Sequence, residues 1–153
     1  MIRILFVCHG NICRSPMGEF ILKDMTARLG ISDSFFIRSA ATSTEEIGNP
    51  VYPPAKRELA LHGISCSGKT AVQLSYSDYD KYDLFIGMDS ANIRNMTRIL
   101  HGDPKNKIRK LMDYASGGDV SDPWYSGDFA TAYNDIFKGC EALLRSDDVR
   151  KNI

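Results

Sequence analysis

The sequence predicts an α/β domain, a small, mainly parallel sheet of four strands with helices on both faces. Short runs that are apolar throughout, such as Ile4-Leu5-Phe6-Val7, suit strands buried on both sides. Between them lie stretches whose apolar residues recur at helical spacing, and that alternation winds a sheet with helices. With 153 residues, 43% hydrophobic and 25% charged, the chain suits a single domain over residues 1–153. No repeat or low-complexity segment divides it.

The first strand runs from Ile2 to Val7 and ends at Cys8. Ser15-Pro16 offers a capping side chain and a proline for a first helical turn, and Met17, Ile21, Met25 and Leu29 carry the helix to Gly30. Phe35-Phe36-Ile37 forms a second strand that leads to Ser39. Pro53-Pro54 opens a helix over Ala55 to His62, which Gly63 stops. Tyr82 to Met88 is the third strand, Asp89-Ser90 caps a helix from Ala91 to Leu100, and Lys107 to Met112 supplies the fourth strand. The last helix starts near Asp128, with Phe129, Tyr133, Ile136, Phe137, Cys140, Leu143 and Leu144 on one stripe.

Composition narrows the chemistry. Lys plus Arg equals Asp plus Glu at 19 each, so no global field recruits nucleic acid or an anionic membrane, and an anion site has to be local. The short N-terminal apolar run fits neither a signal peptide nor a membrane insertion, and a cytoplasmic location is expected. Four irregularly spaced cysteines, Cys8, Cys13, Cys66 and Cys140, form neither a disulfide scaffold nor a zinc pattern. No metal and no cofactor is expected.

The stretch "FVCHGNICRSPMGEF" places a loop, His9 to Arg14, between a buried strand and a helix N-terminus. In such a sheet ligands sit beyond the carboxyl ends of the strands. Unpaired main-chain N–H groups and the helix dipole there favour an anion. Gly10 allows close backbone approach, Asn11 tolerates left-handed angles, and Arg14 can grip two oxygens at once. His9, Ile12 and Cys13 complete the cradle. The same field favours the thiolate of Cys8 on its floor, the form of sulfur that attacks. An expelled alkoxide or phenoxide needs a proton, and "SDPWY" offers Asp122 as donor, with Trp124 and Tyr125 able to line a cleft.

These motifs closely resemble the low-molecular-weight protein tyrosine phosphatase family: "VCHGNICRSP", "SAATS", "GNP", "HGI", "MD" and "DPWY" follow in the family's order along nearly the whole chain. The resemblance implies the family's fold, phosphotyrosine-bearing proteins as substrates, other aryl phosphates as alternatives, and inorganic phosphate as product. It implies Cys8 as nucleophile through a cysteinyl phosphate, Arg14 as phosphate binder, and Asp122 as general acid and then base. Asn11 and Ser39 would hold the loop, Ser15 would hydrogen-bond the thiolate, and His62 would buttress the network. Cys13 would be the redox partner of Cys8 under peroxide. Where the family often carries an aromatic residue on the cleft wall, this chain has Glu45, which disfavours acidic flanking peptides.

Rival readings are weaker on sequence grounds. "GISCSGKT", Gly63 to Thr70, matches a nucleotide-binding loop pattern, but it follows a helix and opens none. An arsenate reductase would need a downstream cysteine pair, and Cys66 stands alone. A silent phosphate-binding module would not need nucleophile, arginine and acid together.

Overall fold

The computed structural model describes residues 1–153. Four strands, β1 (Ile2–Cys8), β2 (Phe35–Ala41), β3 (Leu84–Gly87) and β4 (Ile108–Lys110), form one sheet in the order β2-β1-β3-β4. All three pairings are parallel. The helices are α1 (Arg14–Arg28), α2 (Pro53–Leu61), α3 (Ser90–Ile99), α4 (Pro123–Ser126), α5 (Phe129–Arg145) and α6 (Asp147–Arg150).

Alternation along β1 divides the core between the two faces. Ile2, Ile4, Phe6 and Cys8 point to one side and pack with Met17, Ile21 and Leu22 of α1 and with Ile136, Cys140 and Leu143 of α5. Leu5 and Val7 point to the other and pack with Phe85, Met96 and Leu100. The predicted helices on both faces are therefore present. Because Cys8 falls on the α1 side, the strand delivers its sulfur beneath the helix that starts six residues later.

Most of the expected elements are present, with boundaries that differ for local reasons. The fourth strand stops at Lys110, and Leu111–Tyr114 forms a 3-10 turn. There Leu111 and Met112 turn inward against α5 instead of extending the sheet. Helix α1 begins at Arg14 with Cys13 in the cap position, and Pro16 sits inside its first turn. Ser15 is thereby freed from capping. Asp89 caps α3 as expected, accepting from the Asn92 N–H at 2.7 Å, and Asp128 caps α5. The "DPWY" stretch opens α4 with Asp122 as its cap. No helix is long and apolar enough to cross a membrane.

Of the glycines, Gly139 of α5 is the most tightly packed: a Cβ there would meet Leu111 Cγ at 2.5 Å. Gly139→Ala is expected to destabilise the fold by about 1–3 kcal/mol through overpacking, although alanine alone would favour the helix by about 1 kcal/mol. Urea unfolding monitored by circular dichroism checks the sign.

Candidate active site

At the carboxyl end of β1 a cleft of about 200 Å³ is lined by the Cys8–Arg14 loop, Glu45, Glu46, Asp122, Trp124 and Tyr125. From His9 to Cys13 no main-chain N–H donates to another group of the protein. The first turn of α1 carries neither an acidic residue nor a side-chain cap. A ring of free donors with the positive end of a helix behind it suits an oxyanion. A Cβ added at Gly10 would make only ordinary contacts, with Glu46 Cγ at 3.5 Å and Ile12 Cγ1 at 3.7 Å. The left-handed bend of the loop falls instead on Asn11, at φ 58°.

Asn11 is buried, and its side chain is fully committed. Oδ1 accepts from the Val72 N–H at 3.1 Å, which fixes the amide orientation. Nδ2 then donates to Ser15 Oγ at 2.8 Å and to Ser39 Oγ at 3.0 Å. Ser39 passes its own proton to Glu19 Oε1 at 2.6 Å. Since Ser15 Oγ accepts from Asn11, its proton is left for the Cys8 sulfur 3.0 Å away. The Ser15 N–H points at the same sulfur from 3.4 Å. Two donors converging on one sulfur stabilise its anionic form.

Arg14 is the buried cation of the site. Nη1 donates to Asp89 Oδ2 at 2.8 Å and to the Val120 carbonyl at 2.9 Å, and Nη2 reaches Asp122 Oδ2 at 3.4 Å. Burial works against its charge, but Cys8, Asp89 and Asp122 outweigh it and hold the guanidinium above its ordinary pKa. The other oxygen of Asp122 accepts from the Trp124 N–H at 3.0 Å, so the cap of α4 aims the carboxyl group at the loop. Trp124 packs on Tyr52 with ring centroids 4.7 Å apart, and Tyr52 N–H holds the Ile12 carbonyl at 2.8 Å. Tyr125 is almost wholly exposed at the rim. His9 Nε2 lies 3.2 Å from Glu45 Oε2, so the residue expected on the cleft wall is paired there with a loop side chain.

Cys13 is buried beside this network. Burial, followed by the charges of Cys8 and Asp122, pushes its thiol up to about 12. It is a protonated thiol at neutral pH and a poor nucleophile beside Cys8.

One expected member lies elsewhere. His62 does not join the loop network: it stacks on Tyr133 of α5 at 3.7 Å and pairs with Glu58 at 3.1 Å, at the solvent-facing end of α2. A flat imidazole against a phenol ring is better served there than among hydroxyls already satisfied by Asn11. Sequence reasoning also missed Glu19, Lys69, Glu46 and Tyr52. The Gly63–Thr70 stretch opens no helix, and Thr70 pairs in a short bridge with Pro50. No group of three or more His, Cys, Asp or Glu side chains converges to hold a metal ion.

Replacing Asn11 with glycine keeps the left-handed backbone accessible while removing three side-chain hydrogen bonds. Asn11→Gly is expected to cost about 2–4 kcal/mol of stability and to slow alkylation of Cys8 at neutral pH. Urea unfolding and timed iodoacetamide labelling read the two effects separately.

Comparisons with known proteins identify the family of the chain. The family model for low molecular weight phosphotyrosine protein phosphatase matches residues 3–153. A low molecular weight protein-tyrosine-phosphatase of Bacillus subtilis, YfkJ, is 38% identical over 156 aligned positions covering 100% of both chains. The crystal structure of YfkJ superposes with a TM-score of 0.94 over 99% of this chain and 97% of that one, at 39% identity. The low molecular weight phosphotyrosine protein phosphatase of Rattus norvegicus is 35% identical over 147 residues, 92% of each chain.

Proposed function

The chain belongs to the low molecular weight phosphotyrosine protein phosphatase family, and from that premise we propose how its own residues divide the work of hydrolysing an aryl phosphate monoester. The observation that carries the assignment is the 3.0 Å contact between Ser15 Oγ and the Cys8 sulfur, with Asn11 Nδ2 already donating to the same hydroxyl. It supports Cys8 as the nucleophile.

The phosphoryl group of a phosphotyrosine enters the loop, where the free N–H groups and Arg14 take its oxygens. The dianion engages Arg14 and leaves Asp122 as the carboxyl group beside the phenolic oxygen, which needs a proton to depart. Cys8 sulfur then attacks phosphorus, and an S–P bond forms as the bond to the phenolic oxygen breaks. Asp122 gives its proton to that oxygen. In the second step Asp122 takes a proton from water, the water oxygen attacks phosphorus, and the S–P bond breaks to release inorganic phosphate and the Cys8 thiolate. Trp124 and Tyr125 flank the leaving ring, with Tyr52 supporting Trp124 from behind.

Phosphotyrosine-bearing proteins are the substrate class this cleft fits. Glu45 and Glu46 on its rim disfavour acidic residues beside the phosphotyrosine. Four free thiols and the absence of any disulfide suit a reducing cytoplasm. Under peroxide the Cys8 thiolate takes one oxygen to become a sulfenic acid with loss of hydroxide. The Cys13 thiolate then displaces water or hydroxide from it to close a disulfide, which added thiol reopens.

Two outcomes check these roles. Asp122→Asn should slow cleavage of an unactivated phenyl phosphate by about 10²–10⁴-fold in single-turnover measurements, and a nitro-activated one much less, because its phenolate leaves without a proton. An equal loss on both would remove Asp122 from proton transfer. Because the Cys13 thiol titrates near 12, closure of the Cys8–Cys13 disulfide after a peroxide pulse should accelerate as pH rises from neutral toward that value. Quenched peptide mapping reads the rate, and a pH-independent rate would rule out attack by a Cys13 thiolate as the limiting step.

A further inference from the structure

The stretch that matched a nucleotide-binding pattern contributes a different group. Lys69 turns inward, with 10% of its side chain exposed, and lies beneath the loop. Its Nζ donates to the main-chain carbonyl of Ser39 at 2.9 Å and stands 3.8 Å from Glu19 Oε1. Glu19, on α1, is itself only 2% exposed. Its Oε1 accepts the Ser39 hydroxyl, and its Oε2 takes the Lys23 ammonium. Ser39 is thus held at its hydroxyl by Glu19 and at its carbonyl by Lys69.

A buried carboxylate needs its counter-charge close by. Lys23 can supply only part of it, because 36% of its side chain is exposed and its charge is shared with water. Without Lys69, the buried Glu19 carboxylate would keep only the partly exposed Lys23 as its counter-charge, and the Ser39 carbonyl would lose its side-chain donor. Ser39 would then be held less firmly, and with it the Asn11 amide that leaves the Ser15 proton for the sulfur.

We propose that Lys69 is a positioning residue for the nucleophile: with Glu19 it fixes Ser39, and through Asn11 and Ser15 it keeps a proton directed at the Cys8 sulfur. The proposal rests on Cys8 being the nucleophile. The charged groups facing Lys69 are Glu19 and Lys23 from α1, Cys8 from β1 and Arg38 from β2. Burial pushes the Lys69 ammonium toward its neutral form, Glu19 pulls it back, and the Cys8 sulfur also favours the cation. That preference is mutual, so the cation favours the thiolate.

The test compares Lys69→Met, Lys69→Arg and wild type. The rate of Cys8 alkylation by iodoacetamide is followed from acidic to neutral pH, together with kcat and KM for an aryl phosphate and thermal stability. Lys69→Met should move the alkylation profile to higher pH and lower kcat by about tenfold, the equivalent of one well-formed hydrogen bond. KM should stay within about twofold, because the phosphate donors are untouched. Lys69→Arg should restore most of the loss. Should the Met variant fail to fold, Lys69→Gln retains a donor for the Ser39 carbonyl without the charge, and the same displacement is expected. An alkylation profile in a folded Met or Gln variant that coincides with wild type would overturn the proposal and leave Lys69 a role in stability alone. Alkylation reads the sulfur directly, so that outcome bears on Lys69 whether or not wild type turns over aryl phosphate. Failure of that turnover would count against the phosphatase reading instead.

Discussion

The site depends on one side chain, the amide of Asn11. Its backbone stands in the left-handed region, which costs a non-glycine residue on the order of 1 kcal/mol even when the residue is as tolerant as asparagine. Three hydrogen bonds, each contributing about 0.5–1.5 kcal/mol, offset that cost, and two of them join segments distant in sequence. Ser39 comes from the end of β2, Val72 from the segment beside it, and Ser15 from the first turn of α1. The loop therefore takes its shape from the sheet before any substrate arrives. Donors fixed in advance are worth more than donors that must reorganise, because the cost of aligning them is met during folding.

The same logic governs the charges. Arg14 is buried yet paired with Asp89 and Asp122 and bonded to Val120. Its guanidinium is thus oriented by three groups, one just after β3 and two just before α4. Glu19 is buried yet flanked by Lys23 and Lys69. Each charge taken from water is matched within the fold, as a low-dielectric interior requires. The two clusters lie on opposite sides of the loop: one holds the cation that meets phosphate, and the other anchors the hydroxyl chain that meets sulfur.

Local signals made part of this legible. A uniformly apolar strand running into Cys8, the left-handed tolerance of Asn11 and the forked reach of Arg14 are properties of adjacent residues, and the loop could be read from them. The four parallel strands followed from alternating periodicities. Ser39, by contrast, was identified only through resemblance, since its spacing from Cys8 carries no local pattern. Glu19 reads in sequence as an ordinary helical acid four residues before Lys23, and only the packing of β2 over α1 buries it. Lys69 was hidden within a fortuitous motif. His62 was misplaced because its partner, Tyr133, lies on α5 and no short-range signal joins them. Asp122 was legible as a proton donor within "SDPWY", but not as the cap of a short helix, which is what aims its carboxyl group.

Passage of the phosphoryl group through the sulfur of Cys8 is the central claim. The direct measurement is rapid acid quenching of the enzyme with radiolabelled aryl phosphate, followed by peptide mapping under conditions that preserve a phosphocysteine. A burst of label equal to the enzyme present is expected, located on the Cys8 peptide and decaying as inorganic phosphate appears. Label on another residue, or hydrolysis without any covalent burst when the second step is limiting, would contradict it.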